Sequence, residues 1–520
     1  MRSRSIHDSS PASTGDTAVV EIKYWTNLWR TILMSCFGKT MFPYCLWIRA
    51  LNLGNLHSLL EDLAQDRFRV RDIDINYKML KRSFFSPPLT DLYITRKRGR
   101  ALMDINQIVI NAGDVVTSFI KKAAEDDDKT VMLTGLEGYH LCTTHLQDWV
   151  SRLSHLSSLT VRDGSVLTAD VSRIIRANCP LFKEVVCHYC TGDRADEDLA
   201  GFICGLAPNT LQSFTIMSAN DIGEQTFRAL PDHSESLRVL GICVGMSGLT
   251  ALHFLNGCSN LREVSIEVSG GAAREFKWES ERKEEFQQVT SWLAGCHFLT
   301  SLELSYVPDT PLILNRILRI PEIRLVSLGV RVLRGSLDFY SAVGRQPDLE
   351  SLVIRSDEDL TGQGELGPSS HSVAVLIDAI CYCTKLQKLD LMNELMSSNN
   401  IVRIVESLPR LEDFAFDGDF VDNELLLPLA RLRALKTLNI NALSCFTFAG
   451  ILQFISDMRY DEGSNHEGLR IYIMRQFAEN KLSDHEERTL TDEVARRFRG
   501  KFEITYDADP DDLHESDFSD

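Results

Sequence analysis

The sequence predicts an α/β solenoid, in which short parallel strands line a concave face and helices line the convex face. Three observations support this fold. A short apolar pattern recurs along most of the 520 residues. Its copies are evenly spaced, and stretches with helical periodicity separate them. Because one strand–helix unit buries too little apolar area to be stable alone, stacked neighbours are expected to share one continuous core.

The recurring pattern is an apolar residue, two variable residues, a second apolar residue, one variable residue and a third apolar residue. In HFLTSLEL these apolar positions are Leu299, Leu302 and Leu304. The last two alternate with variable residues, as on a short strand with one buried face. This is the strand pattern of a leucine-rich repeat. Other copies begin at Leu156, Leu211, Leu237, Leu261, Leu349, Leu386, Leu411 and Leu435, and degenerate copies begin at Phe182 and Ile323.

The spacing of the copies fits one strand and one helix per repeat. The first apolar positions 156, 182, 211, 237 and 261 are 24 to 29 residues apart. Stretches with helical periodicity, such as HSVAVLIDAICYC, lie between the copies. Three triplets that begin at Ile48, Val70 and Leu89 are predicted to extend the series toward the N-terminus.

Four cysteines share one register in the repeats, three residues before the first apolar position. A shared register indicates a shared structural role, which we take to be a small buried side chain at the end of each helix. This interpretation removes them from any catalytic or metal-binding set. The four are Cys179, Cys258, Cys296 and Cys383.

The ends of the chain differ in composition from the repeats. Ser483 and Glu486 form a predicted capping box, which begins a C-terminal helix. The last residues are acidic and contain no lysine or arginine, as in a solvated tail. The predicted organisation is a disordered tail over 1–20, a helical N-terminal cap over 21–45, the solenoid over 46–480 with insertions near 269–288 and 357–370, a cap helix and strand over 481–506, and an acidic disordered tail over 507–520.

The composition narrows the classes of partner and compartment. The net charge is −18, whereas a protein that binds nucleic acid needs a basic face to displace counterions from phosphates. The 13 cysteines are an odd number and are too dispersed for a disulfide scaffold. No uninterrupted apolar run is long enough to span a bilayer. We therefore expect a monomer in the cytoplasm or nucleus that binds neither nucleic acid nor membranes.

Two glycine motifs resemble nucleotide-binding loops. Gly362, Gly364 and Gly367 have the spacing of a dinucleotide loop, but Pro368 and two serines follow where a helix should begin. Gly38, Lys39 and Thr40 resemble the end of a P-loop, but Leu33 replaces its first glycine. Flexible loops explain both better, so we predict no cofactor.

Two clusters of cysteine and histidine residues contain side chains of the types that bind metal ions. Cys187, His188 and Cys190 are ligand types for zinc, with Cys179 as a fourth ligand. However, Cys187 is expected to point into the core, and His188 the opposite way on the same strand. His140, Cys142 and His145 have no further partner set in the sequence. We therefore predict no metal site and no catalytic residues.

One basic run, Arg96, Lys97, Arg98 and Arg100, follows the predicted strand that ends at Ile94. It is either a solvated loop, or a nuclear-import signal or a contact for an acidic partner. The sequence does not decide between these interpretations.

The variable strand positions are predicted to form the concave face. They are polar, mixed in sign and biased toward acidic residues, which suits a protein or peptide partner with a basic component. The alternative is that these residues only keep the face soluble. The residues that we expect to contact a partner are Glu267, Glu303, Arg355, Lys388, Asp390, Asp417 and Lys436.

The repeats resemble the cysteine-containing class of leucine-rich repeats, and the chain resembles fungal F-box and leucine-rich-repeat proteins. The segment LWRTILMSCFGKTMFPYCLWIRALNL, from Leu28 to Leu53, carries the second resemblance. This likeness implies a non-enzymatic protein that recognises substrates for a cullin-RING (SCF-type) ubiquitin ligase. The alternatives are a scaffold without a ligase link and a regulatory protein of the GTPase-activator type, with Arg355 as its arginine finger.

The N-terminal segment bears on the adaptor that such a ligase requires. Residues 1–27 contain no Leu-Pro motif, with which an F-box usually opens, so we expect the F-box to be missing or eroded. The segment from Val20 to Phe37 has a single apolar stripe at helical spacing, and that stripe is needed to close the end of the first repeat. Weak or absent binding to a Skp-type adaptor is therefore predicted. The stripe consists of Trp25, Leu28, Trp29, Ile32, Leu33 and Phe37.

Overall fold

The computed structural model describes residues 14–64, 68–70, 73–75, 77–92, 95–97, 100–126, 129–138, 141–218, 220–269, 276–332, 337–356, 370–458 and 466–506. The chain divides into two compact units, unit 1 over Met1–Leu237 and unit 2 over Arg238–Asp520. Both are α/β stacks of leucine-rich repeats. None of the described helices combines the length and the apolar character needed to cross a membrane.

Unit 1 contains a parallel sheet with strand order β1–β6–β7–β8–β9 and two separate antiparallel hairpins, β2–β3 and β4–β5. Its strands are β1 (Ala50–Asn52), β2 (Phe68–Val70), β3 (Ile73–Ile75), β4 (Thr95–Lys97), β5 (Arg100–Leu102), β6 (Gly135–Gly138), β7 (Ser158–Asp163), β8 (Glu184–Tyr189) and β9 (Ser213–Ile216). Its helices are α1 (Thr14–Cys36), α2 (Tyr44–Trp47), α3 (Leu53–Ala64), α4 (Tyr77–Phe84), α5 (Ile105–Ala124), α6 (Thr143–Val150), α7 (Ala169–Asn178), α8 (Ala195–Gly205) and α9 (Glu224–Ala229).

Unit 2 is a parallel array in which β10 to β19 pair in chain order. Its strands are β10 (Val239–Val244), β11 (Glu263–Val268), β12 (Ser301–Ser305), β13 (Ser327–Val332), β14 (Ser351–Ser356), β15 (Lys388–Met396), β16 (Asp413–Val421), β17 (Thr437–Ser444), β18 (Arg470–Gln476) and β19 (Lys501–Tyr506). Its helices are α10 (Met246–Ala251), α11 (Trp278–Glu281), α12 (Lys283–Gly295), α13 (Thr310–Ile317), α14 (Leu337–Val343), α15 (Ser370–Cys381), α16 (Ser398–Ser407), α17 (Asn423–Leu429), α18 (Phe448–Asp457) and α19 (Asp484–Phe498).

The register of unit 2 follows from the apolar triplets. Leu302, Leu328, Leu352, Leu389 and Phe414 are neighbours on successive strands, and all are buried. Because side chains alternate across a strand, burying this row leaves the intervening residues on the other face. The predicted leucine-rich-repeat fold is therefore confirmed.

One predicted triplet was wrong by two residues. The sequence predicts Ile323, Val326 and Leu328 as a degenerate copy of the triplet. In the structure, β13 pairs with β12 so that Leu328 and Val330 continue the rows of Leu302 and Leu304. The triplet is therefore Leu325, Leu328 and Val330, a regular copy. Val326 is exposed, which a core position would not be.

Two predicted N-terminal copies are not repeats. β1 pairs directly with β6, Leu51 beside Leu136, so the described residues between 53 and 134 add no strand to this sheet. Val70 and Ile73 face each other in the hairpin β2–β3, and Leu89–Leu92 is a 3-10 helix. Ile94 lies outside the described residues.

The strand β6 was not predicted, because a glycine replaces its third apolar residue. Leu133 and Leu136 are buried as in other repeats, and Gly138 takes the third position. A Cβ at Gly138 would lie 2.1 Å from Cδ1 of Leu141. The neighbouring leucine thus fills the space that a third apolar side chain would occupy.

The four cysteines in register are all buried, and the thiols of Cys179, Cys296 and Cys383 contact main-chain carbonyls. The Cys179 sulfur lies 3.3 Å from the Val150 carbonyl of the preceding repeat, and that of Cys296 lies 3.6 Å from the Cys258 carbonyl. Gln346 occupies the same register before Leu349. Its amide donates to Leu318 O at 3.0 Å and Ile323 O at 3.2 Å, and its Oε1 accepts from Leu325 N at 2.9 Å.

Several predicted boundary segments have their own structure. Helix α1 begins at Thr14, within the segment expected to be a tail. The charged insertion near 269–288 contains α11 and the start of α12, with Trp278 fully buried. The Ser483–Glu486 capping box is present at the start of α19, and β19 pairs with β18. Residues 357–369 and 507–520, which include the predicted glycine-rich loop and acidic tail, lie outside the described residues.

Candidate functional site on the open face of unit 2

The outward-facing residues of strands β11 to β18 form a polar surface, which we call the open face. On β11 and β12 these residues alternate with buried apolar ones. Three rows cross the strands, because the parallel register repeats from one strand to the next. The first row, for example, contains Glu263, Ser301, Ser327, Ser351, Lys388, Asp413, Thr437 and Arg470.

A pocket of about 240 Å³ lies at the centre of this face. Serines of the first row line one side of it, and Arg331 and Arg355 line the other. Gly329 lies between Glu303 and Val353 in the middle row, and the stem of the Glu303 side chain lies over it. The serines are Ser301, Ser327 and Ser351.

Arg355 is held by a carboxylate at the edge of the pocket. Its Nε donates to Oδ1 of Asp390 at 3.3 Å and its second terminal nitrogen donates to Oδ2, which makes a two-point contact. Asp390 is 6% exposed and also accepts from Met392 N at 3.3 Å. The hydrogen bonds to Asp390 raise the pKa of Arg355. Such a planar, two-point contact fixes the orientation of the guanidinium.

A second hollow of about 360 Å³ adjoins the pocket and shares Lys388 and Asp390 with it. Its lining also includes Asp413, Asn439 and Arg470. Oδ1 of Asn439 is buried and accepts no hydrogen bond from the described residues. The two hollows together form a polar depression from β12 to β18.

The structure brings together four of the seven residues predicted to contact a partner. Glu303, Arg355, Lys388 and Asp390 line the central pocket. Glu267 lies away from it on β11, and Lys436 precedes β17.

Two of the other predicted contacts, Lys436 and Asp417, are engaged within the protein. The Lys436 ammonium lies 2.6 Å from a carboxylate oxygen of Glu412. Asp417 is only 3% exposed, and it accepts from Asn441 Nδ2 at 3.2 Å where the β16–β17 register shifts. Little of its carboxylate is therefore accessible to a partner.

Arg331 and Ser327 of β13 were missed by sequence reasoning, whereas Ser301 and Ser351 are among the variable strand positions predicted to form the concave face. The two-residue error in the β13 triplet ended the predicted strand at Leu328 and so left Arg331 beyond it. The signal that identifies them is the regular triplet Leu325, Leu328 and Val330. With this register, Ser327, Gly329 and Arg331 all face outward.

The candidate zinc ligands do not converge on a common point. Cys187 and Cys190 are buried against Gly164. A Cβ atom added to Gly164 would lie 2.8 Å from the Cys187 sulfur and 2.7 Å from the Cys190 sulfur. His188, in contrast, is exposed. Burial raises the pKa of Cys190 to about 11. Among the described residues, no cluster of three or more histidine, cysteine or acidic side chains is arranged to hold a metal ion.

The other chemical motifs have local structural explanations or lie outside the described residues. The Cys142 sulfur lies 2.8 Å from Nδ1 of His145 at the start of α6, whereas His140 is not described. Gly38 has φ +63° in the turn after α1. Lys97 and Arg100 of the basic run are paired in the hairpin β4–β5, and Arg98 lies outside the described residues. Gly362, Gly364 and Gly367 lie outside the described residues.

An exposed apolar cluster between α1 and β1 was also not predicted. Phe42, Tyr44 and Trp47 have ring centroids 5.4–6.0 Å apart, and Met41 is 88% exposed beside them. Phe37, which the predicted stripe assigned to closing the end of the first repeat, is itself 38% exposed.

Comparisons with known proteins find likenesses to many solved structures, among them an internalin and TLR13. An internalin (inlF) from Listeria monocytogenes matches over 59% of this chain and 84% of its own, with 14% identity and a TM-score of 0.33. TLR13, solved as a complex with ssRNA13, matches over 66% of this chain at 11% identity and a TM-score of 0.33. The match covers 55% of the TLR13 chain, little more than half of it. No family model and no curated protein sequence matches the chain.

Proposed function

We propose that the chain is a protein–protein interaction module, and that its partner binds on the open face of unit 2. The observation that carries this proposal is the polar depression, in which the held Arg355–Asp390 pair lies beside exposed charges of both signs. Complementary charges at a protein interface select the partner and fix its position. A polar surface of mixed sign therefore suits a protein segment better than an apolar small molecule.

The size of the depression supports a peptide-like partner. From β12 to β18 there are six strand intervals, which at about 4.8 Å each span roughly 29 Å. An extended peptide covers roughly 3.3 Å per residue, so about nine residues would cross this distance.

Charge reversal on the open face tests the proposal. Lys388→Glu combined with Asp413→Lys should abolish capture of the partner, which is identified by affinity purification of the full chain while the proteasome is blocked. Arg345→Glu is the matched control, because Arg345 is exposed and lies outside both hollows. Retention of the same partners by the double variant would contradict the proposal.

We further propose substrate recognition of the F-box and leucine-rich-repeat type, with weak or absent binding to a Skp-type adaptor. The burial of the α1 stripe in unit 1 supports the prediction of weak adaptor binding. Trp29, Ile32 and Leu33 of the α1 stripe are buried, and α1 packs against α3, α4 and α5. An adaptor interface needs roughly 800 Å² from each partner, and this stripe is already used.

Calorimetry with the adaptor tests this weak binding. Submicromolar affinity would contradict the prediction. If such binding is found, Phe42→Ser with Trp47→Ser asks whether the exposed apolar cluster provides the contact. Phe298→Ser is the matched control, since that phenylalanine is exposed in the other unit.

The two alternative functions, a GTPase activator and a scaffold without a ligase link, have less support. A GTPase activator would use Arg355 as an arginine finger, but Asp390 already binds that guanidinium. A scaffold without a ligase link would capture partners without adaptor or cullin peptides in the purification. All 13 cysteines are free thiols, which supports the proposed cytoplasmic or nuclear location.

A further inference from the structure

The exposed apolar cluster of unit 1 lies on the turn between α1 and α2, outside the core. Gly38 has φ +63° in this turn, and Met41 is the most exposed apolar side chain among the described residues. Phe42 and Trp47 are 43% and 49% exposed. Exposed apolar side chains that stand singly are ordinary, whereas a contiguous group of this size marks an interaction site.

The main chain beneath the cluster is held in place. Cys45 and Leu46 are buried, and the Cys45 amide donates to Oγ of Ser35 at 2.9 Å. The Leu46 carbonyl accepts from Met132 N at 2.9 Å. Because these contacts fix the backbone on the core side, the aromatic side chains between them remain directed toward solvent.

The charges around the cluster differ from those of the whole chain. Residues 22–60 contain no aspartate or glutamate but four cationic side chains, Lys23, Arg30, Lys39 and Arg49, although the net charge of the chain is −18. Lys39 and Arg49 flank the cluster in sequence, and both are exposed. Neither forms an ion pair with any described residue. The cluster is therefore bordered by positive charge that attracts an anionic surface.

Acidic residues do not surround the cluster. Glu21, which lies near Asp62, is 15 residues from the end of α1, roughly 22 Å along the axis at about 1.5 Å per residue. This is more than twice the Debye length of about 8 Å. The segment 121–129 at the end of α5 contains three lysines and four acidic residues, and its Asp126 lies 2.8 Å from the Lys129 ammonium. Little of the positive charge is therefore cancelled.

From these observations we infer that this turn docks on the surface of an anionic lipid membrane. Met41, Phe42 and Trp47 enter the boundary between headgroups and acyl chains, where amphipathic aromatic rings are favoured. Lys39 and Arg49 remain among the anionic headgroups. The sequence-based expectation of no membrane contact rested on the lack of a spanning apolar run, which a surface contact does not need. The inference does not depend on the proposed function, because the open face belongs to unit 2.

The test is co-sedimentation of the full chain with vesicles of phosphatidylcholine alone or mixed with phosphatidylserine. Binding to the anionic vesicles should be at least about tenfold stronger and should weaken as salt is added, because salt screens the headgroup charge. Absence of binding to anionic vesicles at low ionic strength would overturn the inference, and so would equal binding to both kinds of vesicle.

Fluorescence tests whether the cluster itself enters the lipid. The six tryptophans are all described, and Trp47 alone among them is exposed. Lipids with brominated acyl chains should therefore quench part of the tryptophan emission. Trp47→Phe should remove this quenching while the variant still sediments with the vesicles. Quenching that persists in the variant would show that another part of the chain contacts the lipid.

Apolar variants measure the contribution of the rings. Phe42→Ser with Trp47→Ser should weaken binding to anionic vesicles at least about tenfold, since each ring buries a large apolar area. Phe298→Ser with Tyr382→Ser is the matched control, because both side chains are exposed in unit 2. Circular dichroism establishes that each variant is folded. Unchanged binding by the folded Phe42→Ser with Trp47→Ser variant would refute the assignment.

Charge variants measure the contribution of the cations. Lys39→Gln and Arg49→Gln should each weaken binding to anionic vesicles about fivefold and leave binding to pure phosphatidylcholine unchanged. Arg345→Gln with Arg410→Gln is the control pair, since both arginines are exposed in unit 2. An equal effect of the control pair would mean that net charge, and not this turn, governs binding.

Two other occupants of the cluster are distinguished by the same apolar double variant. Analytical ultracentrifugation detects a second copy of the chain, and calorimetry detects the adaptor. If the variant dissociates a dimer or abolishes adaptor binding while the wild-type chain does not sediment with vesicles, a protein covers the cluster and the membrane inference fails.

Discussion

Residues 53–134 of unit 1 and the strands β11 to β17 of unit 2 contain similar apolar triplets but have different architectures. In unit 2 every triplet becomes a parallel strand, and one crossover joins it to the next. In unit 1 the chain leaves the sheet after Asn52 and returns at Gly135, and the segment between forms helices α3, α4 and α5 with two hairpins. An apolar triplet is therefore not sufficient for a repeat strand, since Val70 and Ile73 of one triplet lie on two antiparallel strands.

The two regions also use their polar residues differently. In unit 1, Asp114 of α5 accepts from Nε1 of Trp149 at 2.8 Å and from Arg152 at 3.0 Å, so its charge serves packing between α5 and the α6 region. In unit 2, the regular ladder leaves whole rows of polar side chains on the open face. Regular repetition thus provides a binding surface, whereas the irregular segment provides internal contacts.

The largest expected effect tests the buried row of unit 2. Leu389→Asp would place a charge among apolar neighbours and should cost several kcal/mol of unfolding free energy. Leu389→Ala should cost about 2–5 kcal/mol. Chemical denaturation measures both, with exposed Lys388→Ala as a control that changes stability by less than about 0.5 kcal/mol. Wild-type stability of either leucine variant would show that the register is wrong.

The next effect concerns a polar residue in the cysteine register. Gln346→Ala would leave Leu325 N and two carbonyls without their partner, and should cost about 1–3 kcal/mol. Exposed Gln387→Ala on the same unit is the matched control. If the two variants unfold at the same denaturant concentration, the Gln346 network contributes nothing to the fold.

A glycine in unit 1 tests whether the irregular segment belongs to the core. A Cβ at Gly113 would lie 2.4 Å from the fully buried ring of Trp149. Gly113→Ala should therefore cost about 1–2 kcal/mol, because overpacking outweighs the gain in helix propensity. Gly295→Ala in α12 meets no atom within 4 Å and should be neutral or slightly stabilising. A stabilised Gly113→Ala would mean that α5 does not pack closely against α6.

The smallest effect concerns the cap helix α19. Main-chain and side-chain hydrogen bonds from Ser483 lower the pKa of Glu486. A carboxyl whose pKa is lowered on folding stabilises the protein above its unfolded pKa, and this stabilisation disappears as the pH falls through the folded value. Ser483→Ala should thus reduce the melting temperature slightly at pH 7, and the difference should shrink by pH 3. A difference that does not change with pH would argue against the Glu486 contribution.

Much of the fold could be predicted because burial of an apolar triplet is a local property of the sequence. The triplets from Leu156 to Leu435 locate their strands, and Ser483 with Glu486 locates the start of α19. The predictions failed where the local pattern was ambiguous. Two overlapping triplets at 323–330 differ by one strand period, and only pairing with Leu302 and Leu304 selects Leu328 and Val330.

The sequence by itself determined the repeat, its period and the cysteine register, since each follows from which residues avoid water. Only the tertiary structure decided which polar side chains meet. Arg355 and Asp390 are 35 residues apart in the chain but hydrogen-bonded across β14 and β15. Arg331, the serine row and Gly329 form one pocket only because the parallel register aligns three strands. Such contacts depend on pairing between distant segments, which no local pattern of apolar residues specifies.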